Sequence, residues 1–195
     1  MKYDVILAGV GGQGVLSVAS IIADAAVGDR LNVRQSEVHG MAQRGGAVLA
    51  HLRIADMVIP GDLVPKGAAD LIISMEPLEG LRYLGWLKQS GALVSASEAF
   101  VNINNYPEPE NIKSTIRGLP QWRLVDAHKL AKEAGFPKAV NTVMVGAASC
   151  FLPVSTKSLE KAVVTAFERK DASVVQANIR AFSLGQEAGR AKETV

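Results

Sequence analysis

At 195 residues and 20.6 kDa, the chain is long enough for one substantial core: folding a protein of this mass leaves about 8,900 Å² of the roughly 30,000 Å² that the unfolded chain exposes. A net charge of +2 from 21 basic and 19 acidic residues, with no basic run and 5% aromatics, leaves no electrostatic or stacking footprint for nucleic acid. The single Cys150 excludes an internal disulfide and a four-cysteine cluster or zinc site, and no apolar run reaches the ~20 residues a membrane span needs.

The opening Met-Lys-Tyr-Asp-Val-Ile runs directly into an apolar stretch without a signal-peptide pattern, so a cytoplasmic chain is expected. Residues 3–8 read as a strand buried on both faces. Residues 13–26 read as a helix whose one polar stripe is Gln13, Ser17, Ser20 and Asp24, so the rest of its surface should be covered. Gly28 and Asp29 end it. Residues 31–35 and 47–54 read as the second and third strands, and the polar, glycine-bearing segment between them is expected on a loop or helix start. After an extended piece at 57–60 and a turn marked by Gly61, Pro65 and Gly67 comes a strand at 71–74. A helix at 77–87 with Pro77 in its first turn and a strand at 92–95 follow.

Residues 101–120, with Pro107, Pro109 and Asn104-Asn105, read as irregular chain crossing a sheet edge. A strand at 123–126 and a helix at 127–134, stopped by Gly135, follow. From 137 onward the pattern is helical: a small-residue helix at 141–151 headed by Asn141 as N-cap, and one capped by Ser158 with Leu159, Ala162, Val163, Ala166 and Phe167 on one stripe. A last helix at 172–185 presents Val175, Ile179 and Phe182, and the tail after Gly189 is expected to fray. Alternating strands and helices with a helical end predict one α/β domain over 1–195. It has a Rossmann-like, mostly parallel sheet with helices on both faces (1–136) and a C-terminal helical appendage (137–195).

Gly9-Val10-Gly11-Gly12-Gln13-Gly14 fits G-x-G-x-x-G and stands between the first strand and the first helix, where that pattern binds a cofactor's phosphates. On this reading Gly9 permits the turn, Gly11 lets a pyrophosphate approach the backbone and Gly14 lets the helix pack on the strand. The start of the helix then offers N–H groups and about half a positive charge. The competing reading is a tight strand–helix crossing with no ligand. Glu37 is the nearest candidate for the ribose-binding acid of a dinucleotide site. A Walker-type site is excluded because Val15-Leu16 follow Gly14 in place of Lys and Ser/Thr.

Nothing else supplies chemistry. His51 lies inside the third strand and reads as a satisfied core or edge histidine, His128 as a helix-start polar group, and Cys150 as an inert core residue. With His39 the remaining imidazole, no pair at helical spacing suggests a metal, and no Gly-x-Ser-x-Gly elbow supplies a nucleophile. No catalytic residue is assigned.

The run Ser36-Glu37-Val38-His39-Gly40-Met41-Ala42-Gln43-Arg44-Gly45-Gly46 is dense in polar and glycine residues for a connector. Either it is a solvated loop, or Glu37, His39, Gln43, Arg44, Gly45 and Gly46 contact a ligand or partner, with Arg44 gripping a carboxylate or phosphate. Together with Gly9 to Gly14 and the region around Asn141 and Ala181 to Gly185, this run resembles the gamma-type domain of 2-oxoacid:ferredoxin oxidoreductases over nearly the whole chain. It is most similar to the beta subunits of the indolepyruvate members.

The resemblance implies CoA-dependent oxidative decarboxylation of an aryl-pyruvate with ferredoxin as electron acceptor. A partner subunit would hold thiamine diphosphate and [4Fe-4S] clusters, and coenzyme A would be co-substrate. The residues agree: one cysteine ligates no cluster, and Gly61-Asp62-Leu63 lacks the Gly-Asp-Gly start of a thiamine diphosphate motif. The chain is therefore expected to be inert alone. A stand-alone NAD(P)-dependent oxidoreductase and a non-enzymatic nucleotide-binding module are the alternatives.

Overall fold

The computed structural model describes residues 1–39, 45–101 and 103–191, with His39 described by its backbone alone. Six strands form one sheet in the order β2-β3-β1-β4-β5-β6: β1 (Lys2–Val10), β2 (Asn32–His39), β3 (Ala47–Ala55), β4 (Ala69–Ser74), β5 (Leu87–Ala96) and β6 (Trp122–Val125). β1, β4, β5 and β6 run parallel, β3 is antiparallel to β1, and β2 is antiparallel to β3. The strand succession therefore steps to one side of β1, returns past it to β4, and leaves a topological switch point between β1 and β4.

Strand alternation sorts the core into two layers. Val5, Leu7, Leu71, Ile73 and Val94 face a cluster shared with α1 (Val15–Gly28), α4 (Ala127–Glu133), α5 (Val140–Ala148), α6 (Thr156–Phe167) and α7 (Ala172–Arg190). Ile6, Ile72 and Leu93 face the other cluster, closed by α2 (Pro77–Arg82) and by Ile112 and Ile116 of α3 (Pro109–Arg117). With few aromatics available, the first layer is filled mainly by alanine and aliphatic residues, with Phe182 of α7 as its large buried ring. Its tightest contact is between α5 and α7, where a Cβ at Gly146, Gly185 or Gly189 would lie within 2.2 Å of a facing backbone carbonyl oxygen. Thr142 Oγ1 donates to Asn178 Oδ1 (2.6 Å) inside this interface.

Several elements differ from the sequence reading. β2 continues to His39, so the first part of the Ser36 to Gly46 segment is strand, paired to β3 through Glu37↔Ala50 and Val38↔Leu49. The stretch expected to be irregular contains α3: Pro109 starts it, Ile112 and Ile116 bury one face, and Arg117 Nη1 bonds Glu110 Oε1 (2.6 Å). Pro107 and Pro109 conceal this short amphipathic pattern. The helix expected to 87 stops at Arg82, and a 3₁₀ turn at Leu84–Trp86 leads into a longer β5.

Ser155, not Ser158, caps α6, accepting from Ser158 N–H, and both hydroxyls donate to Asp29. Ala139 stands at the N-cap of α5, and Asn141 lies one residue inside the helix. Ala166 and Val27 are exposed, and α7 runs on through Arg190. Cys150 follows α5 and is exposed rather than core; its thiol, partly enclosed, donates to Gly189 O (3.3 Å), and that partial desolvation raises its pKa. Among the described residues, no helix is long and apolar enough to cross a membrane.

A cleft at the strand switch point

In open α/β sheets, ligands bind outside the carboxyl ends of the strands at the switch point. Here β1 leads into the glycine turn and β4 is followed by Met75, whose N–H bonds Ala8 O (2.9 Å). A cleft of about 440 Å³ opens above them. Its floor is Gly12, Gln13, Gly14 and Met75; its walls are Glu98, Ala99 and Phe100 after β5, His128 at the start of α4, and Lys138, Val140 and Asn141 leading into α5.

The turn is built from within. Gln13 Oε1 accepts the Val10 N–H (2.8 Å) and Gln13 N–H donates to Val10 O (3.0 Å), so Gln13 braces the turn as well as lining the cleft. A Cβ at Gly9 would lie 2.7 Å from Val15 Cγ2 and 3.0 Å from Met75 Cβ, which makes Gly9, rather than Gly14, the residue that lets helix and strands approach. Gly14 caps α1 in the left-handed region (φ 75°), and a Cβ there would lie 2.1 Å from Asn141 Nδ2. Gly12 (φ 100°) has nothing within 4 Å of where a Cβ would stand, so its backbone faces open space.

Gly11 has another use. Its N–H donates to Gly46 O (2.8 Å) and its carbonyl accepts from Gly45 N–H (3.3 Å), so the two glycine-bearing motifs, over thirty residues apart in sequence, join as a continuation of the β1–β3 pair. With the Gly11 amide occupied, the turn's face toward the cleft consists of Gly12 to Gly14. Gln43 and Arg44 lie outside the described residues, as does the side chain of His39.

Glu37 lies far from the cleft. β3 stands between β2 and β1, and Glu37 pairs with Ala50, which pairs with Leu7, placing Glu37 two strand spacings, about 10 Å, from β1. In a dinucleotide site the acidic strand adjoins the glycine-turn strand. The inserted β3 removes that relation, and with it the residue-level case for an NAD(P) site.

Charge in the cleft is mixed. The amino end of the 14-residue α1 and the Lys138 ammonium favour an anion, while Glu98 opposes one. His128 Nδ1 lies 2.5 Å from Glu98 Oε2, so the imidazole and the carboxylate stand side by side on the cleft wall. His128 does sit at a helix start, behind Asp126, which caps α4 by accepting from Lys129 N–H (3.0 Å). Away from the cleft, His51 is a buried strand histidine whose Nδ1 accepts from Val64 N–H (3.1 Å).

The chain matches the family described as pyruvate ferredoxin/flavodoxin oxidoreductase over residues 4–188. It belongs to that family. Indolepyruvate oxidoreductase subunit IorB of Pyrococcus horikoshii is 35% identical over 97% of this chain and 96% of that protein. Among solved structures, the gamma subunit of a keto/oxoacid ferredoxin oxidoreductase from Geobacter sulfurreducens superposes with a TM-score of 0.71 at 26% identity, covering 97% of this chain and 99% of its own. The fold also recurs, at 20% identity and a TM-score of 0.76, within a 2-oxoglutarate:ferredoxin oxidoreductase from Magnetococcus marinus solved with 2-oxoglutarate, coenzyme A and succinyl-CoA bound. There it spans 97% of this chain and 31% of the longer one.

A [4Fe-4S] cluster takes four thiolates, and the family member here has one cysteine. The Gly61 and Leu63 carbonyls both accept from Arg53 Nη1 (3.0 and 3.2 Å), and Asp62 lies 3.8 Å from Arg34, so this turn serves two guanidinium groups. Sequence reasoning overlooked Met75, Glu98, Phe100 and Lys138. The rule that strand carboxyl ends converge points to the first three, because each follows β4 or β5 directly.

Proposed function

We propose that the chain is the subunit of an indolepyruvate-type 2-oxoacid:ferredoxin oxidoreductase that receives coenzyme A in the switch-point cleft. Thiamine diphosphate, the [4Fe-4S] clusters and the ferredoxin contact belong to the cytoplasmic complex's catalytic partner. The observation that carries this reading is the composition of the cleft: open glycine backbone at Gly12, the amino end of α1 and the Lys138 ammonium converge at one carboxyl edge of the sheet. That combination suits a phosphate-bearing ligand and lacks a hydride-transfer pair. Glu37, Gln43, Arg44, Gly45 and Gly46 form, with His39, the chain's contact with ligand or partner, where Arg44 grips a carboxylate or phosphate. On this division of labour the chain binds and orients the acyl acceptor, and bond making and breaking occur on the partner.

The test is copurification with the companion subunit, followed by ferredoxin reduction assayed with indolepyruvate and with 2-oxoglutarate, with and without coenzyme A. CoA-dependent reduction with preference for the aryl substrate is expected, and the chain alone should show neither iron–sulfur absorbance nor turnover. Micromolar NAD(H) binding by the chain alone, with no effect of coenzyme A on the complex, would replace this reading with the dehydrogenase one.

A further inference from the structure

Glu76 follows Met75 at the end of β4 and is 1% exposed, yet it lines no part of the cleft. Three donors converge on its two carboxylate oxygens. Oε2 accepts from Glu79 N–H (2.8 Å), capping α2, while Oε1 accepts from Phe100 N–H (3.3 Å) and from the Tyr106 hydroxyl. Burial, and then Glu76, raise the Tyr106 pKa, so the phenol remains a donor.

This arrangement ties Phe100 and Tyr106, which lie between β5 and α3, to the end of β4 beside Met75. Phe100 is half of that tie and also a wall of the cleft. Ser97 N–H bonds Val125 O (2.8 Å), fixing the chain after β5 to β6, so Glu98 to Phe100 are held at both ends. Only an acceptor at both oxygens satisfies the three donors: glutamine would turn its NH₂ toward one of two backbone N–H groups that cannot reverse.

We propose that Glu76 and Tyr106 are positioning residues, a strap anchored on the buried Glu76 carboxylate that holds the Glu98 to Phe100 wall against the end of β4 and so sets the affinity of the cleft for coenzyme A. The proposal rests on the reading of the cleft given above. Neither residue touches the ligand; both act through Phe100.

The experiment uses the complex of this chain with its catalytic subunit and measures steady-state oxidation of the 2-oxoacid for Tyr106→Phe, Glu76→Gln and Lys138→Ala. Tyr106→Phe removes one donor and leaves the α2 cap in place. The KM for coenzyme A should rise about threefold to tenfold, the worth of one hydrogen bond, while kcat and the KM for the 2-oxoacid stay within about twofold. Glu76→Gln should raise it further, and if that variant fails to fold Tyr106→Phe decides alone. A raised KM for coenzyme A with Lys138→Ala but not with Tyr106→Phe overturns the strap and leaves the cleft assignment standing. No change with either variant overturns the cleft assignment and the strap with it. An equal loss in every kinetic parameter, with a lowered melting temperature, makes the pair a general structural element and also overturns the proposal.

Discussion

The turn Gly9 to Gly14 and the α5–α7 interface use glycine for opposite purposes. At the interface, Gly146, Gly185 and Gly189 let two helix backbones touch, and a Cβ at any of them would meet main-chain atoms that cannot move independently. In the turn, Gly12 and Gly14 supply left-handed backbone, and the space beside Gly12 is empty. A glycine facing backbone is a packing device, whereas one facing open space leaves main chain available to something else.

Substitution separates the two. The largest loss is expected from Gly185→Ala, whose methyl would stand 2.1 Å from Val143 O. Overpacking of a rigid contact costs ~1–3 kcal/mol, and the backbone neighbour puts this variant at the upper end in a denaturant melt. Gly14→Ala should cost about 2 kcal/mol: the left-handed conformation is unfavourable for alanine by ~1–2 kcal/mol, and Asn141 must swing aside. Asn141→Ala in the same chain should recover part of that loss, since the neighbour is a side chain rather than backbone. No recovery would mean that the turn is held by main-chain packing, as the helix interface is.

Gly12→Ala should cost about 1 kcal/mol, from conformation alone, and weaken coenzyme A binding in calorimetry by more than it lowers stability. Unchanged binding would return the turn to the category of packing devices. The smallest effect lies outside both regions. Burial, and then the Arg53 charge, hold the His51 imidazole below its ordinary 6.5. As pH falls through 6.5 the unfolded chain takes up a proton that the native chain resists, so native stability declines on the acid side and is intact above it. His51→Gln should flatten the fall in melting temperature between about pH 7 and pH 5 relative to the unmutated chain.

Much of the fold was legible because buried strands and helix stops have local signatures. The apolar runs at β1, β4 and β6, the Pro77 start of α2 and the Gly135 stop of α4 each stand in a few neighbouring residues. α3 was missed because Pro107 and Pro109 outweigh two isoleucines four apart in a nine-residue helix. The glycine turn was legible as a motif, but the division of work among its glycines was not. That Gly9 faces Val15 and Met75, Gly11 is bonded to Gly46, and Gly14 faces Asn141 depends on elements arriving from far along the chain.

The sequence by itself determined that this is an α/β chain with a G-x-G-x-x-G turn after its first strand, too few cysteines for a cluster, and the family's characteristic run after the second. Those facts live in composition and short spacing. Only the tertiary structure decided that β3 stands between β1 and β2, removing Glu37 from the turn. It alone also decided that the cleft is completed by residues following β4, β5 and β6 together with Lys138 and Asn141. Strand order and the meeting of strand ends are set by which apolar faces bury one another across the whole domain, and no local window of residues records that choice.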